Sequence, residues 1–153
     1  MQLDSTKLLE EKGIPFRLIK LSDKGVSFVD VIKNAVDELN PEEICKTIVV
    51  KDKKGNKHTF FLRGNQRIDF SKAKEIVGTK ISIVSFVDLK KATGKEPGAI
   101  CPFLLDFPLF VDKKVFDSEK INFGSGDHLF GLEINSKDLK KIVDFKEVDV
   151  AQG

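Results

Sequence analysis

Two short stretches of this chain hold residues whose types and spacing could do chemistry together. In the first, Glu43-Ile44-Cys45-Lys46-Thr47-Ile48-Val49-Val50, one lysine stands at the start of an apolar run. Side chains alternate along a strand, so Lys46 shares a face with Ile48 and Val50, and Cys45 faces the other way. An ammonium on an apolar face is costly to bury unpaired, which would suit a phosphate or carboxylate ligand. The same residue also fits a lysine lying along a strand end with its head in water. The second stretch runs from Gly94 to Phe103 and contains Pro97-Gly98-Ala99-Ile100-Cys101-Pro102. Each proline fixes its own φ and restricts the residue before it, here Glu96 and Cys101. Gly98 has no Cβ and lets a ligand approach the main chain closely. Such a loop can present rigid N–H and C=O groups to a substrate or a water molecule; it also fits a tight helix-to-strand connection.

Other constellations are weaker. His58 and His128 are far apart and no Cys/His spacing suggests zinc, so no metal site is expected. Gly124-Ser125-Gly126 lacks the third glycine of a dinucleotide loop, position 129 being Leu129. Cys101 with His128 as base would make a cysteine hydrolase; a buried inert thiol is the plainer reading.

The elements that must hold these groups can be read from periodicity and punctuation. Ser5–Lys12 predicts a short helix stopped by Gly13, and Phe16–Leu21 alternates as a strand. Ser27 with Asp30 predicts a helix N-terminus, with an apolar stripe running from Phe28 to Leu39 and Pro41 closing it. Ile44–Lys51 and Lys57–Arg63 predict a hairpin around Asp52–Asn56. Ser71–Val77 predicts a helix ending at Gly78 and Lys80–Val84 a strand. Ser85 with Asp88 opens a helix ending at Gly94, directly before the Pro/Gly loop. Phe107–Asp112, Lys114–Phe116, Ile121–Phe123 and Leu129–Ile134 read as strands, Ser136–Val143 as a last helix, and Phe145–Val148 as extended. The irregular mixture points to an α+β fold with a mixed sheet.

Bulk properties narrow the class. The 153 residues are 41% hydrophobic and 33% charged, the balance of a soluble globular protein, and enough for one domain over residues 1–153. All 13 aromatic rings of the Phe, Trp and Tyr class are Phe. The charged N-terminus is unlike a secretory signal, and Pro102, Asp106 and Pro108 break the longest apolar stretch, so no membrane span is expected. Two cysteines without C-x-x-C spacing suit a reducing, cytoplasmic setting. Net charge is +2, but residues 46–80 carry ten Lys/Arg against three Asp/Glu, making the middle third the polyanion-facing candidate or a solvated lysine-rich hairpin.

The Cys45–Val50 run, followed about fifty residues on by Gly98-Ala99-Ile100-Cys101-Pro102 inside Pro-Gly-x-x-x-Pro-Phe, resembles the YbaK / prolyl-tRNA-synthetase-associated family of editing domains. The closing Gly131–Ile134 strand and the Ser136–Leu139 helix start fit as well. The resemblance implies a mixed β-sheet or barrel surrounded by helices that deacylates mischarged tRNA, without metal or other cofactor. It implies that Lys46 binds near the phosphate of the terminal adenosine, and that Gly98 positions the ester and the attacking water. Ala99, Ile100, Cys101 and Pro102 would line the substrate, with hydroxyls of the tRNA end or the substrate's own side chain assisting. The implied partners are the aminoacyl-tRNA acceptor end and a synthetase. A non-catalytic RNA- or synthetase-binding module of the same fold is the alternative.

The chain departs from its relatives in two places. It reads Pro102-Phe103-Leu104 where bacterial relatives continue Pro-Phe-Gly. Its loop from Asn122 to Phe130 is longer and less basic, so a substrate-selecting role for His128 needs a shift in alignment. Which amino acid is removed, and the oligomeric state, are not implied.

Overall fold

The computed structural model describes residues 3–24, 28–36, 39–95 and 99–153. Its elements in chain order are α1 (Asp4–Glu11), β1 (Arg17–Lys20), α2 (Phe28–Asn34), β2 (Cys45–Lys51), β3 (Lys57–Arg63), α3 (Phe70–Val77), β4 (Ser82–Ile83), α4 (Phe86–Thr93), β5 (Leu109–Asp112), β6 (Lys120–Gly124), β7 (Phe130–Asn135), α5 (Leu139–Ile142) and β8 (Lys146–Val148). The strands form two sheets: a three-stranded antiparallel one ordered β1-β7-β6, and a five-stranded mixed one ordered β4-β2-β3-β5-β8. The fold is thus the expected α+β type with a mixed sheet, and its strands form two open sheets rather than one closed barrel among the described residues.

The local signals act as expected where turn chemistry dominates. Gly13, Gly55, Gly78 and Gly94 all take positive φ, ending α1, closing the β2–β3 hairpin and ending α3 and α4. Ser85 accepts a hydrogen bond from the Asp88 amide and so caps α4. Asp69 does the same for α3, from the Ser71 and Lys72 amides.

Four expectations are corrected. Helix α2 stops at Asn34 instead of running to Leu39, because the next residues turn to the sheet: the Val36 amide bonds Lys20 O at 3.0 Å and Ala35 bridges Leu21. The proposed cap Ser27 lies outside the described residues. Pro41 opens a 3₁₀ turn over Pro41–Glu43, capped by Asn40, instead of simply closing a helix. Lys113–Asp117 is a 3₁₀ turn and not a strand; Asp112 caps it through the Lys114 amide, and Val115 is carried into the core. The strand expected over Lys80–Val84 contracts to β4, which pairs with β2 only at Val50 and Lys51.

Alternation along β2 divides the interior. Cys45 enters a cluster with Phe61, Phe103, Phe123 and Leu132 between the two sheets. Val50 packs on the opposite face with Phe60, Ile68 and Ala73 of α3. A third cluster joins Val49 to Val84, Leu89 and Ile100. The strand therefore separates two apolar layers, and Lys46 stands at its entry.

Candidate functional site

Strand β2 is paired with β3 along its whole length, but its other edge is, among the described residues, paired only at its ends. At one end β4 meets Val50 and Lys51, and the Val84 amide bonds Val49 O at 3.0 Å. At the other, Ile44 forms an isolated parallel bridge with Asn122 of β6. A cavity of about 390 Å³ opens along the stretch between, and five consecutive residues, Cys45 to Val49, line it. A strand buried on both edges could not expose five successive residues to one cavity; an unpaired edge can.

The register also assigns main-chain groups. Ile44 O accepts from the Gly64 amide on the β3 side. Residues 46 and 48 must then point their backbone groups to β3, and residues 45, 47 and 49 toward the cavity. Thr47 thereby offers its N–H and C=O along the cavity wall.

The opposite wall is the non-core face of the three-stranded sheet. Gly124 and Gly131 lie directly across from each other there, flanked by Ile19 and Asn122. Ile83 and Phe86, both strongly exposed, form part of the rim, and Leu89 and Ile100 close the side. The lining is mostly aliphatic.

Lys46 is half-buried on this cavity and has no ion-pair partner among the described residues. Burial holds its ammonium below the ordinary lysine range, and the nearby Arg67 charge pushes the same way. A second cation acting on the first makes a local positive field suited to an anion. Other members of the basic middle third are already engaged: Arg63 with Glu42 at 2.8 Å and Lys72 with Asp149 at 3.2 Å. Lys53 and Lys54 sit at the hairpin tip, ~20 Å along the strand from Lys46 at 3.4 Å per residue.

The expected site residues are distributed unevenly. Lys46 and Ile100, more than fifty positions apart in the chain, line the same cavity. Gly98 and Pro97 lie outside the described residues. Ala99 is buried, and Pro102 begins a buried 3₁₀ turn. Cys101 belongs to the core cluster with Cys45 and Phe103, where burial pushes its thiol far above the ordinary range. A thiol so held is a poor nucleophile, which counts against a cysteine hydrolase. His128 is half-buried in the loop braced by Ser125, whose hydroxyl donates to Phe130 O at 2.6 Å; it is not among the cavity-lining residues. Among the described residues no three His, Cys, Asp or Glu side chains converge as a cation site would require, and no helix is long and apolar enough to cross a membrane.

Two lining residues escape a reading by sequence alone. Thr47 Oγ1 and both amide atoms of Asn122 are buried without a hydrogen-bond partner among the described residues. The one available signal for Asn122 was its place between Ile121 and Phe123, since asparagine is a poor strand former and must face away from both. Arg67 gave no signal, because its nearness to Lys46 depends on the chain folding back after β3.

Comparison with known proteins agrees with this arrangement. Among solved structures, a hypothetical protein superposes with a TM-score of 0.86 at 21% identity, covering 96% of this chain and 98% of that one. A protein provisionally named a trans-editing enzyme for prolyl tRNA synthetase superposes with a TM-score of 0.82 at 18% identity, with 100% of both chains covered. At these identities the likeness establishes the fold. The sequence itself matches the aminoacyl-tRNA editing domain over residues 29–142, which include β2, the Pro/Gly loop and strands β6 and β7. The chain belongs to the aminoacyl-tRNA editing domain family.

Proposed function

We propose that the protein is a deacylase that hydrolyses the ester bond of mischarged aminoacyl-tRNA in trans, without metal. One observation carries the reading: in a chain of the editing family, a half-buried lysine with no counter-ion among the described residues lines an apolar cavity. Lys46 takes the phosphate of the terminal adenosine at the cavity entry. The apolar lining receives the aminoacyl group, and the main chain around Gly98 holds the ester and a water molecule. The Thr47 amide, on the unpaired edge, supplies a further donor. Water adds to the carbonyl carbon, negative charge gathers on the carbonyl oxygen, and the ribose oxygen leaves carrying a proton. An aminoacyl ester is already activated, so positioning and fixed dipoles provide most of the acceleration. His128 is proposed to contact substrate only from the loop flank.

The test is a deacylation assay on a panel of cognate and mischarged aminoacyl-tRNAs in the presence of a chelator. Lys46→Ala should lower kcat/KM about 100-fold, the scale for losing one electrostatic contact in a preorganised site. Gly98→Ala should be similarly damaging, and Cys101→Ser should leave the rate essentially unchanged. Charged tRNA bound but never turned over would replace this reading with a non-catalytic RNA-binding module. Loss of activity on Cys101→Ser alone would point to the thiol.

A further inference from the structure

We propose that Asn122 is the specificity-determining residue of the cavity, selecting an aminoacyl group with a hydrogen-bonding side-chain tip over its apolar isostere. The inference rests on the deacylase reading for the identity of the substrate, but on its own observations for the residue.

Asn122 is 2% exposed, lines the cavity, and has no partner for either Oδ1 or Nδ2 among the described residues. Which amide atom is oxygen and which nitrogen does not matter, because both are orphaned. A buried donor or acceptor left unsatisfied is destabilising, so an aliphatic residue would serve a purely structural strand better. Its neighbours on the sheet have other commitments. Glu133, directly across on β7, is bound to Arg17 at 2.8 Å and approached by Lys120 at 3.7 Å. Neither atom is open to water in the free protein, so a ligand reaches it only after the side chain rotates toward the cavity it borders. That rotation breaks no hydrogen bond to the described residues.

The position along the cavity identifies the ligand group. The phosphate belongs with Lys46, which is half-buried at the entry. The adenine has a face to stack on at the rim, where Phe86 is 69% exposed. Asn122, bridged to Ile44 two residues from Lys46, is by contrast almost wholly buried, beside Ile19 and the paired glycines Gly124 and Gly131. The phosphate and the base go to the half-buried Lys46 and the exposed Phe86, which leaves the amino-acid side chain as the part that meets the buried amide. A hydroxyl there can donate to Oδ1 or accept from Nδ2, and Thr47 Oγ1 on the facing strand is a second unpartnered polar atom. A methyl in its place leaves every one of these atoms unsatisfied. Sites built to bond a polar substrate group discriminate strongly against the analogue that lacks it.

Two measurements test this. The first is NMR of the intact wild-type protein, following the Asn122 side-chain NH₂ resonances while adding hydrolysis-resistant 3′-amide-linked seryl-adenosine, alanyl-adenosine or AMP. The seryl compound should shift them clearly and the other two should not. A shift with AMP alone, or with all three equally, overturns the assignment to the side chain, as does no shift with any. The second compares seryl- and alanyl-tRNA hydrolysis in Asn122→Leu, with folding checked by thermal melting. The seryl-to-alanyl ratio of kcat/KM should fall about tenfold, one net hydrogen bond. An unchanged ratio in a folded variant overturns the proposal. If the seryl compound shifts the resonances while no charged tRNA is hydrolysed, the deacylase reading fails and the Asn122 site stands.

Discussion

Lys46 is the residue on which the proposed chemistry turns, and its environment has a measurable consequence. Its folded-state pKa is lowered, first by burial and then by Arg67. The unfolded chain therefore binds more protons in the window just below an ordinary lysine pKa of about 10.4. Through that window, Lys46's contribution to stability rises with pH. Anion binding runs in the opposite sense, because it needs the charged form. AMP affinity should fall on the alkaline side at a lower pH than an ordinary lysine would give, as titration calorimetry can follow. Lys46→Arg should retain binding and remove the limb, since a guanidinium does not titrate there. A wild-type limb identical to that of an exposed lysine would show that the ammonium is not desolvated.

The elements around β2 explain how a strand residue becomes a wall of the site. Because β4 is only two residues long, it cannot cover the β2 edge, and α4 follows at once. That helix brings Phe86 to the rim and Leu89 to the side of the cavity. Its first turn depends on Ser85, which accepts from the Asp88 amide at 3.2 Å. Ser85→Ala should cost about 1 kcal/mol in urea denaturation, and Ser85→Asp should restore most of it. The Ala variant should also raise KM more than it lowers kcat, because the rim would fray while the inner wall remains. Equal stability of Ala and wild type would mean that α4 is held by packing alone.

Across the whole molecule, the C-terminal segment is anchored by one buried carboxylate. Asp112 is fully buried at the end of β5 and accepts from the amides of Val150 at 2.9 Å, Ala151 at 3.1 Å and Lys114 at 3.1 Å. These contacts hold Val150 and Ala151 in the layer that packs on α3. Asp112→Ala would leave buried amides without acceptors, a loss of about 3 kcal/mol, which is a large part of the 5–15 kcal/mol of a typical domain. Asp112→Asn keeps one acceptor oxygen and should lose less. Urea midpoints of the three proteins decide the matter: an Ala variant as stable as wild type removes the anchor from the account.

Much of the local structure was legible in the residue order. The β2–β3 hairpin, the glycine stops of α1, α3 and α4 and the Ser85 cap follow from φ preferences and side-chain-to-backbone bonds within a few residues. Lys46 was marked by being a charge in an apolar strand. What local pattern could not supply was competition at longer range. Residues 35 and 36 looked helical but were taken by the sheet beside β1, and Lys114–Phe116 looked extended but curled under the Asp112 cap. Nor could it show that, among the described residues, one edge of β2 stays largely unpaired and Asn122 is sealed without a partner at the cavity wall, or that the Arg67 charge acts on Lys46. Those facts depend on which distant segments meet. A chain writes its turns and periodicities locally, whereas an unpaired edge, a depressed ammonium pKa and an orphaned amide arise only when separate segments exclude water together.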